Sequence, residues 1–281
     1  MDKTSANNSY CRDMVRADDR ARYDTTLFAP RHQRAPLWAL YAFNQEVAKT
    51  RESVSESALG EIRLQWWQDA IEELKSGNYR EHPVVAEMKQ HLTEPAVLKL
   101  MSEIVSARKN DMYDDGPADT IALATYARSV GGALSEAAVR VCAENSEHLD
   151  ADVVEAARKS GSAWAMIGLV RAIPFHWAAN RNFVPGDDGK AALATTSAEK
   201  MYELAASSIS EMITYAKREQ EASAKLANDA SAKVKHIFLL NALSNIYLKN
   251  MAAAGNNPFK YQEPTDLKRM WSLMKASIIG W

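Results

Sequence analysis

Gly161-Ser162-Ala163-Trp164-Ala165-Met166-Ile167-Gly168-Leu169-Val170-Arg171-Ala172-Ile173-Pro174-Phe175-His176 sets the architecture of this chain. Within it Gly168, Ala172 and His176 recur at four-residue steps. Residues four apart share one helix face. A second stretch, Tyr41-Ala42-Phe43-Asn44-Gln45-Glu46-Val47-Ala48-Lys49-Thr50-Arg51-Glu52, places Ala48 and Glu52 four apart in the same way. Two such helices facing each other would turn these positions toward one shared space. Of the five, only Glu52 is a carboxylate.

The remaining sequence is helical in character. Ala, Leu, Glu, Lys, Met and Arg dominate, and these are good helix formers. Alternating β patterns are scarce. Helix breaks are expected at Pro30, Pro36, His82-Pro83, Glu94-Pro95, Gly116-Pro117, Pro185-Gly186, Gly255-Asn256-Asn257-Pro258 and Pro264. Leu59, Ile62, Trp66, Trp67, Ala70, Ile71 and Leu74 form an apolar stripe at helical period. Another helix runs from Thr120 to about Cys142 with Gly131-Gly132 inside it, a pair that suits close helix packing or a kink. Residues 197–248 suggest two long helices meeting within 228–232, with a solvated stretch over 222–233. The expectation is one all-α domain over residues 1–281.

Composition narrows the function classes. The chain has 281 residues, 47% hydrophobic and 25% charged, which is ordinary for a globular protein. Its net charge of −2 provides no global field for nucleic acid or an anionic membrane. Cys11 and Cys142 are the only cysteines, which excludes a disulfide framework and a cysteine zinc site and fits a reducing compartment. No apolar run reaches the ~18 residues of a membrane-spanning helix. Met1-Asp2-Lys3-Thr4 opens no apolar signal region. The expected location is cytoplasmic, with peripheral contact to the inner membrane as an added possibility.

The two opening stretches resemble the Asp-rich motifs of the squalene/phytoene synthase family. Tyr126-Ala127-Arg128-Ser129-Val130-Gly131-Gly132-Ala133-Leu134-Ser135 is similar to that family's Tyr-Cys-x-x-Val-Ala-Gly-x-Val-Gly helix. Arg108-Lys109-Asn110-Asp111-Met112 is similar to its Arg-x-x-Asp turn, and Arg181-Asn182-Phe183-Val184-Pro185 to its Gly-Arg-x-Tyr-Leu-Pro segment. The resemblance covers roughly residues 8 to 260 and implies the isoprenoid-synthase helical bundle with a central, mostly apolar cavity. It also implies where Mg²⁺ ligands belong. The aspartate pair of the first motif falls on Ala48 and Lys49, with Glu52 one turn later. The Asn and two Asp of the second fall on Gly168, Ala172 and His176. Mg²⁺ requires hard oxygen ligands, which alanine and glycine do not supply. Lys49 would put a cation at the metal's place, a repulsion of about 4 kcal/mol at ~4 Å and intermediate dielectric.

A narrower resemblance is to the family's non-catalytic branch, which includes the mitochondrial respiratory complex I assembly factor and its alphaproteobacterial relatives. It is carried by Ala42-Phe43-Asn44-Gln45-Glu46, by Gly60-Glu61-Ile62-Arg63-Leu64-Gln65-Trp66-Trp67 and by Val170-Arg171-Ala172-Ile173-Pro174-Phe175-His176. It implies a pseudoenzyme in complex I assembly, with assembly intermediates or a prenyl or lipid ligand as partners. No nucleic acid, metal or cofactor is expected. The alternatives are a Mg²⁺-dependent head-to-head prenyl transferase on farnesyl or geranylgeranyl diphosphate, and an isoprenoid- or lipid-binding protein.

Ligand-binding candidates are Tyr126, Arg171, Arg181 and Gln65. Arg171 suits a diphosphate or carboxylate contact, or an ion pair with Glu46 or Glu52 holding two helices in register. His176 suits acid–base or metal chemistry, or a hydrogen-bonded structural role. Glu46, Glu52, Asp111, Asp114 and Asp115 offer a replacement ion site, although Asp114-Asp115-Gly116-Pro117 is good turn chemistry and Asp119 a good helix cap. Of Trp66 and Trp67, one belongs in the core and one lines the cavity or a partner surface, or both are core. Residues 265–281 form an amphipathic helix with Leu267, Met270, Trp271, Met274, Ile278 and Trp281 on one face and Lys268, Arg269 and Lys275 elsewhere. Such a tail docks on a partner groove or membrane interface, or packs on its own domain.

Overall fold

A computed structural model describes residues 3–114, 116–143 and 148–280, and among them every regular element is helical. The helices are α1 (Lys3–Asp18), α2 (Arg20–Thr26), α3 (Arg31–Ala48), α4 (Ser57–Lys75), α5 (Pro83–His91), α6 (Pro95–Arg108), α7 (Thr120–Ala127), α8 (Ala133–Cys142), α9 (Ala151–Ala178), α10 (Gly186–Leu193), α11 (Ala198–Leu226), α12 (Leu239–Ala253) and α13 (Asp266–Ile279). Pro83 and Pro95 each open a helix, where the missing N–H costs nothing. Asp119 caps α7 by accepting from Ala122 N at 2.7 Å. Pro36 does not end a helix: it lies within α3, near the start, where it removes one ladder bond and the chain continues.

The apolar side chains form two clusters. One gathers α3, α4, α5, α6 and α8 around Leu37, Phe43, Trp67, Met88 and Met101. The other gathers α9, α11, α12 and α13 around Ile167, Met212, Leu243 and Leu273. In α4 the buried stripe is Gly60, Leu64, Trp67, Ala70, Ile71 and Leu74, while Leu59 and Ile62 stand outside. The expected stripe was therefore rotated at its start, because Leu64 rather than Ile62 meets the core. Residues 222–233 are not simply solvated, since Ser223 and Ala227 are fully buried where α11 turns back over the bundle.

The seam between the clusters is fixed where two backbones nearly touch. Arg128–Gly132 is a π-helical turn joining α7 to α8. A Cβ on Gly131 would lie 2.2 Å from the Gly161 carbonyl oxygen of α9. Only glycine permits that approach. Beside it Arg158 of α9 pairs with Glu136 of α8 and, at 2.7 Å, with Glu103 of α6.

Candidate functional site

Further along α9 the seam opens into a cavity of about 330 Å³. That is at the small end for ligand pockets. Its walls come from both clusters: Asn44, Gln45 and Ala48 of α3; Tyr126 to Leu134 of the α7–α8 run; and Trp164 to His176 of α9. Ala48, Glu52, Gly168, Ala172 and His176 all line it. Gly168, Ala172 and His176 reach it by their four-residue steps along α9, Ala48 is the last residue of α3, and Glu52 enters from the 3-10 turn Arg51–Ser53 that follows, so five of the six positions share one cavity.

The sixth is elsewhere. Lys49 turns away and pairs with Asp18 of α1. In place of Lys49 the cavity is lined by two other cations, Arg108 of the Arg-x-x-Asp turn and Arg22, which sequence reasoning missed. Arg22 is buried, 2.7 Å from Asp19, and Gln45 donates to the same Asp19 oxygen at 3.2 Å. The available signal was the Asp19-Arg20-Ala21-Arg22 spacing of three, a helical ion pair preceding the first motif.

A second buried group closes one wall. The Tyr126 hydroxyl donates to Asp111 Oδ1 at 2.6 Å, and Arg108 Nη1 donates to Asp111 Oδ2 at 3.0 Å and to the Tyr126 oxygen at 2.8 Å. Burial, together with the Asp111 carboxylate, holds the Tyr126 hydroxyl far above its ordinary value, so it is a neutral donor. Burial opposes the charge on Arg108, but Tyr126 and Asp111 outweigh it and keep the guanidinium charged. His176 is pushed down to about 4 by burial first and by the Arg181 charge second. It is therefore a neutral imidazole at neutral pH. Its ring centre lies 4.5 Å from that of Phe183, and its Nδ1 is buried without a hydrogen-bond partner.

Tyr126 also borders a neighbouring cavity of about 330 Å³, where Arg181 lies with Asn110, Asp111 and Phe183. Two of the other candidates are outside both spaces. Arg171 pairs with Glu263 at 2.9 Å and lies 4.4 Å from the Tyr247 ring centre, so neither Glu46 nor Glu52 is its partner. The loop after α12 carries that glutamate, which no helical spacing foretells. Gln65 is exposed and donates to Asp69 on its own helix. Trp67 is buried against Phe43, whereas Trp66 is half-buried beneath Arg80; neither lines the cavity.

The acidic candidates do not converge. Glu46 pairs with Arg63, Asp114 with Arg51 and Asp111 with Arg108, and Asp115 lies outside the described residues. Among the described residues no group of three or more His, Cys, Asp or Glu side chains could hold a metal ion. A Mg²⁺–diphosphate site needs several hard oxygen donors. This cavity's lining offers one carboxylate, Glu52, and the nearby Asp19 and Asp111 are bound to arginines. The residues present do not fit the ion that the scaffold's usual chemistry requires.

Similarity to known proteins agrees with this scaffold. Over 188 residues the chain is 28% identical to NADH dehydrogenase (ubiquinone) complex I, assembly factor 6 of Bos taurus, covering 65% of this chain and 54% of that protein. With the Homo sapiens protein of the same name it shares 29% over 183 residues, covering 63% and 53%. The chain spans about half the length of these curated relatives. A dehydrosqualene synthase structure superposes with a TM-score of 0.78 at 14% identity, covering 98% of this chain and 96% of the other. The squalene synthase HpnC from Alicyclobacillus acidocaldarius gives 0.74 at 16%, covering 91% and 97%. At such identities these two show the isoprenoid-synthase fold alone. The squalene/phytoene synthase family model matches residues 15–271, further toward the C-terminus than the motifs reached, and the chain belongs to that family.

Proposed function

With the family's scaffold kept and its metal-binding carboxylates replaced, we propose that this protein is a non-catalytic member that acts in the assembly of respiratory complex I. The observation that carries the first half is the cavity wall itself. Ala48, Gly168, Ala172 and His176 face the space where the family's Mg²⁺ ligands belong, and Glu52 stands alone there. The second half rests on likeness to the complex I assembly factors, and assembly intermediates are the partners it implies. Fold likeness to prenyl synthases does not fix activity.

A second reading has its own support. The cavity keeps apolar walls from Leu134, Trp164, Leu169 and Phe175, which suits a prenyl or lipid chain held without turnover. It is compatible with an assembly role.

The test is incubation with Mg²⁺ and labelled farnesyl and geranylgeranyl diphosphates, beside an active family enzyme. No extractable apolar product is expected, and product above a boiled control would restore a prenyl transferase. A deletion strain should accumulate partial complex I on native gels. Normal complex I in that strain would remove the assembly role. Native mass spectrometry with a bound isoprenoid would support the second reading.

A further inference from the structure

The C-terminal helix turns its apolar side outward. α13 buries Arg269, Leu273 and Ala276, three positions on one side, against the body of the protein. Arg269 fastens it: the guanidinium bonds Asp266 at 2.6 Å and lies 3.8 Å from Asp24 of α2. Arg269 thus lies away from the apolar face, as its spacing implied, but buried, with its charge answered from beneath the helix. On the opposite side Leu267, Trp271, Met274 and Ile278 form a continuous stripe, exposed by 82%, 68%, 47% and 82%. Trp281 lies outside the described residues.

A patch of this kind on a fastened helix marks an interaction surface. Charge selects its occupant. Lys268 and Lys275 run along one edge of the stripe, and Lys249 and Lys260 are exposed in the segments α13 packs beside. Residues 249–280 expose four lysines against two carboxylates, within a chain whose net charge is −2. Those two carboxylates, Glu263 and Asp266, are already bound to Arg171 and Arg269. An apolar stripe with a central tryptophan and flanking lysines is the pattern of a helix lying in a lipid interface. Among the described residues no helix is long and apolar enough to cross a membrane, so the contact is with one leaflet.

We propose that the outer face of α13 docks on the headgroup region of an anionic lipid bilayer, with the helix parallel to the surface and Leu267, Trp271, Met274 and Ile278 entering it. Lys268 and Lys275 then meet lipid phosphates. The inference is independent of the assembly role and of the cavity.

Flotation of the full chain with phosphatidylcholine vesicles, with and without phosphatidylglycerol, tests it. The chain should float with the anionic vesicles and loosen as salt rises. Trp271→Gln with Ile278→Gln should lower the bound fraction at least about tenfold, since two large apolar groups no longer leave water. Lys268→Gln with Lys275→Gln should reduce binding several-fold and remove most of the preference for phosphatidylglycerol. The substituted side chains are exposed, and circular dichroism checks that each variant is folded. A chain that stays in the aqueous fraction at both compositions overturns the proposal, as does a Trp271→Gln/Ile278→Gln variant that floats like the parent. A dimer in sedimentation that this variant converts to monomer, without flotation of the parent, assigns the face to a second copy and also overturns it.

Discussion

Gly161 and Gly168 stand two turns apart on α9 and meet opposite surroundings. A Cβ added at Gly161 would lie 2.0 Å from the Gly131 carbonyl oxygen and 2.6 Å from Ser135 Oγ; at Gly168 it would meet nothing within 4 Å. The first half of the helix is held by backbone contact and by Arg158 between Glu136 and Glu103. The second half faces a cavity to which it presents the small residues Ala165, Gly168 and Ala172. The difference separates two meanings of glycine in one helix. Gly161 is required by its neighbours. Gly168 leaves room that a larger side chain could occupy.

The strongest way to break this contrast is Gly161→Ala. Ser135 Oγ can rotate away, but the Gly131 carbonyl is backbone and cannot, so α9 must shift from the π turn. We expect a loss of about 4 kcal/mol in urea denaturation, at the severe end for a point substitution. A loss under ~1 kcal/mol would mean that the two helices separate easily and that the seam does not fix the cavity.

Acid probes two buried histidines, His176 at the cavity and His236 against Cys142 of α8. His176 and His236 are both pushed down to about 4, chiefly by burial. Above pH 6.5 each is neutral in the folded and unfolded chain, and this part of the stability is fully present. As pH falls from 6.5 toward 4 the unfolded chain takes up protons that the folded one refuses, and stability is lost. At 1.36 kcal/mol per unit the loss is at most about 3 kcal/mol for each histidine. The midpoint of chemical denaturation followed across that range measures it. His176→Gln and His236→Gln should each flatten the slope, and an unchanged slope in both would refute the cause.

The crowded half has a smaller expected response to charge removal. Glu136 is buried and is also held by Arg140 at 2.7 Å. Arg158→Met therefore leaves it partly compensated, and the expected loss is about 2 kcal/mol rather than the full cost of a stranded buried charge.

These elements show what was legible in the sequence. The helical character, the prolines that open α5 and α6 and the four-residue steps of Gly168, Ala172 and His176 depend on local chemistry and period, so they were readable, whereas Ala48 and Glu52 were tied to the same space by the family resemblance. Pro36 was not, because a helix packed on its neighbours continues past a proline at the loss of one ladder bond, as α9 also does at Pro174. Arg22 entering the cavity, Lys49 leaving it and Arg171 meeting Glu263 all depend on partners from other elements. Spacing along one helix contains no record of those partners. The same holds for Arg269, whose burial is decided by Asp24 of a helix more than two hundred residues away in sequence.

The gentlest test sharpens the contrast most directly. Gly168 has no unusual backbone angle and sits inside α9, where glycine costs conformational entropy. Nothing opposes an added methyl group. Gly168→Ala should therefore stabilise the protein by about 0.5–1 kcal/mol, the helix-propensity difference alone. The sign is opposite to that expected for Gly161→Ala, with the same chemical change on the same helix. A destabilising Gly168→Ala would show that the cavity wall is already closed at this position.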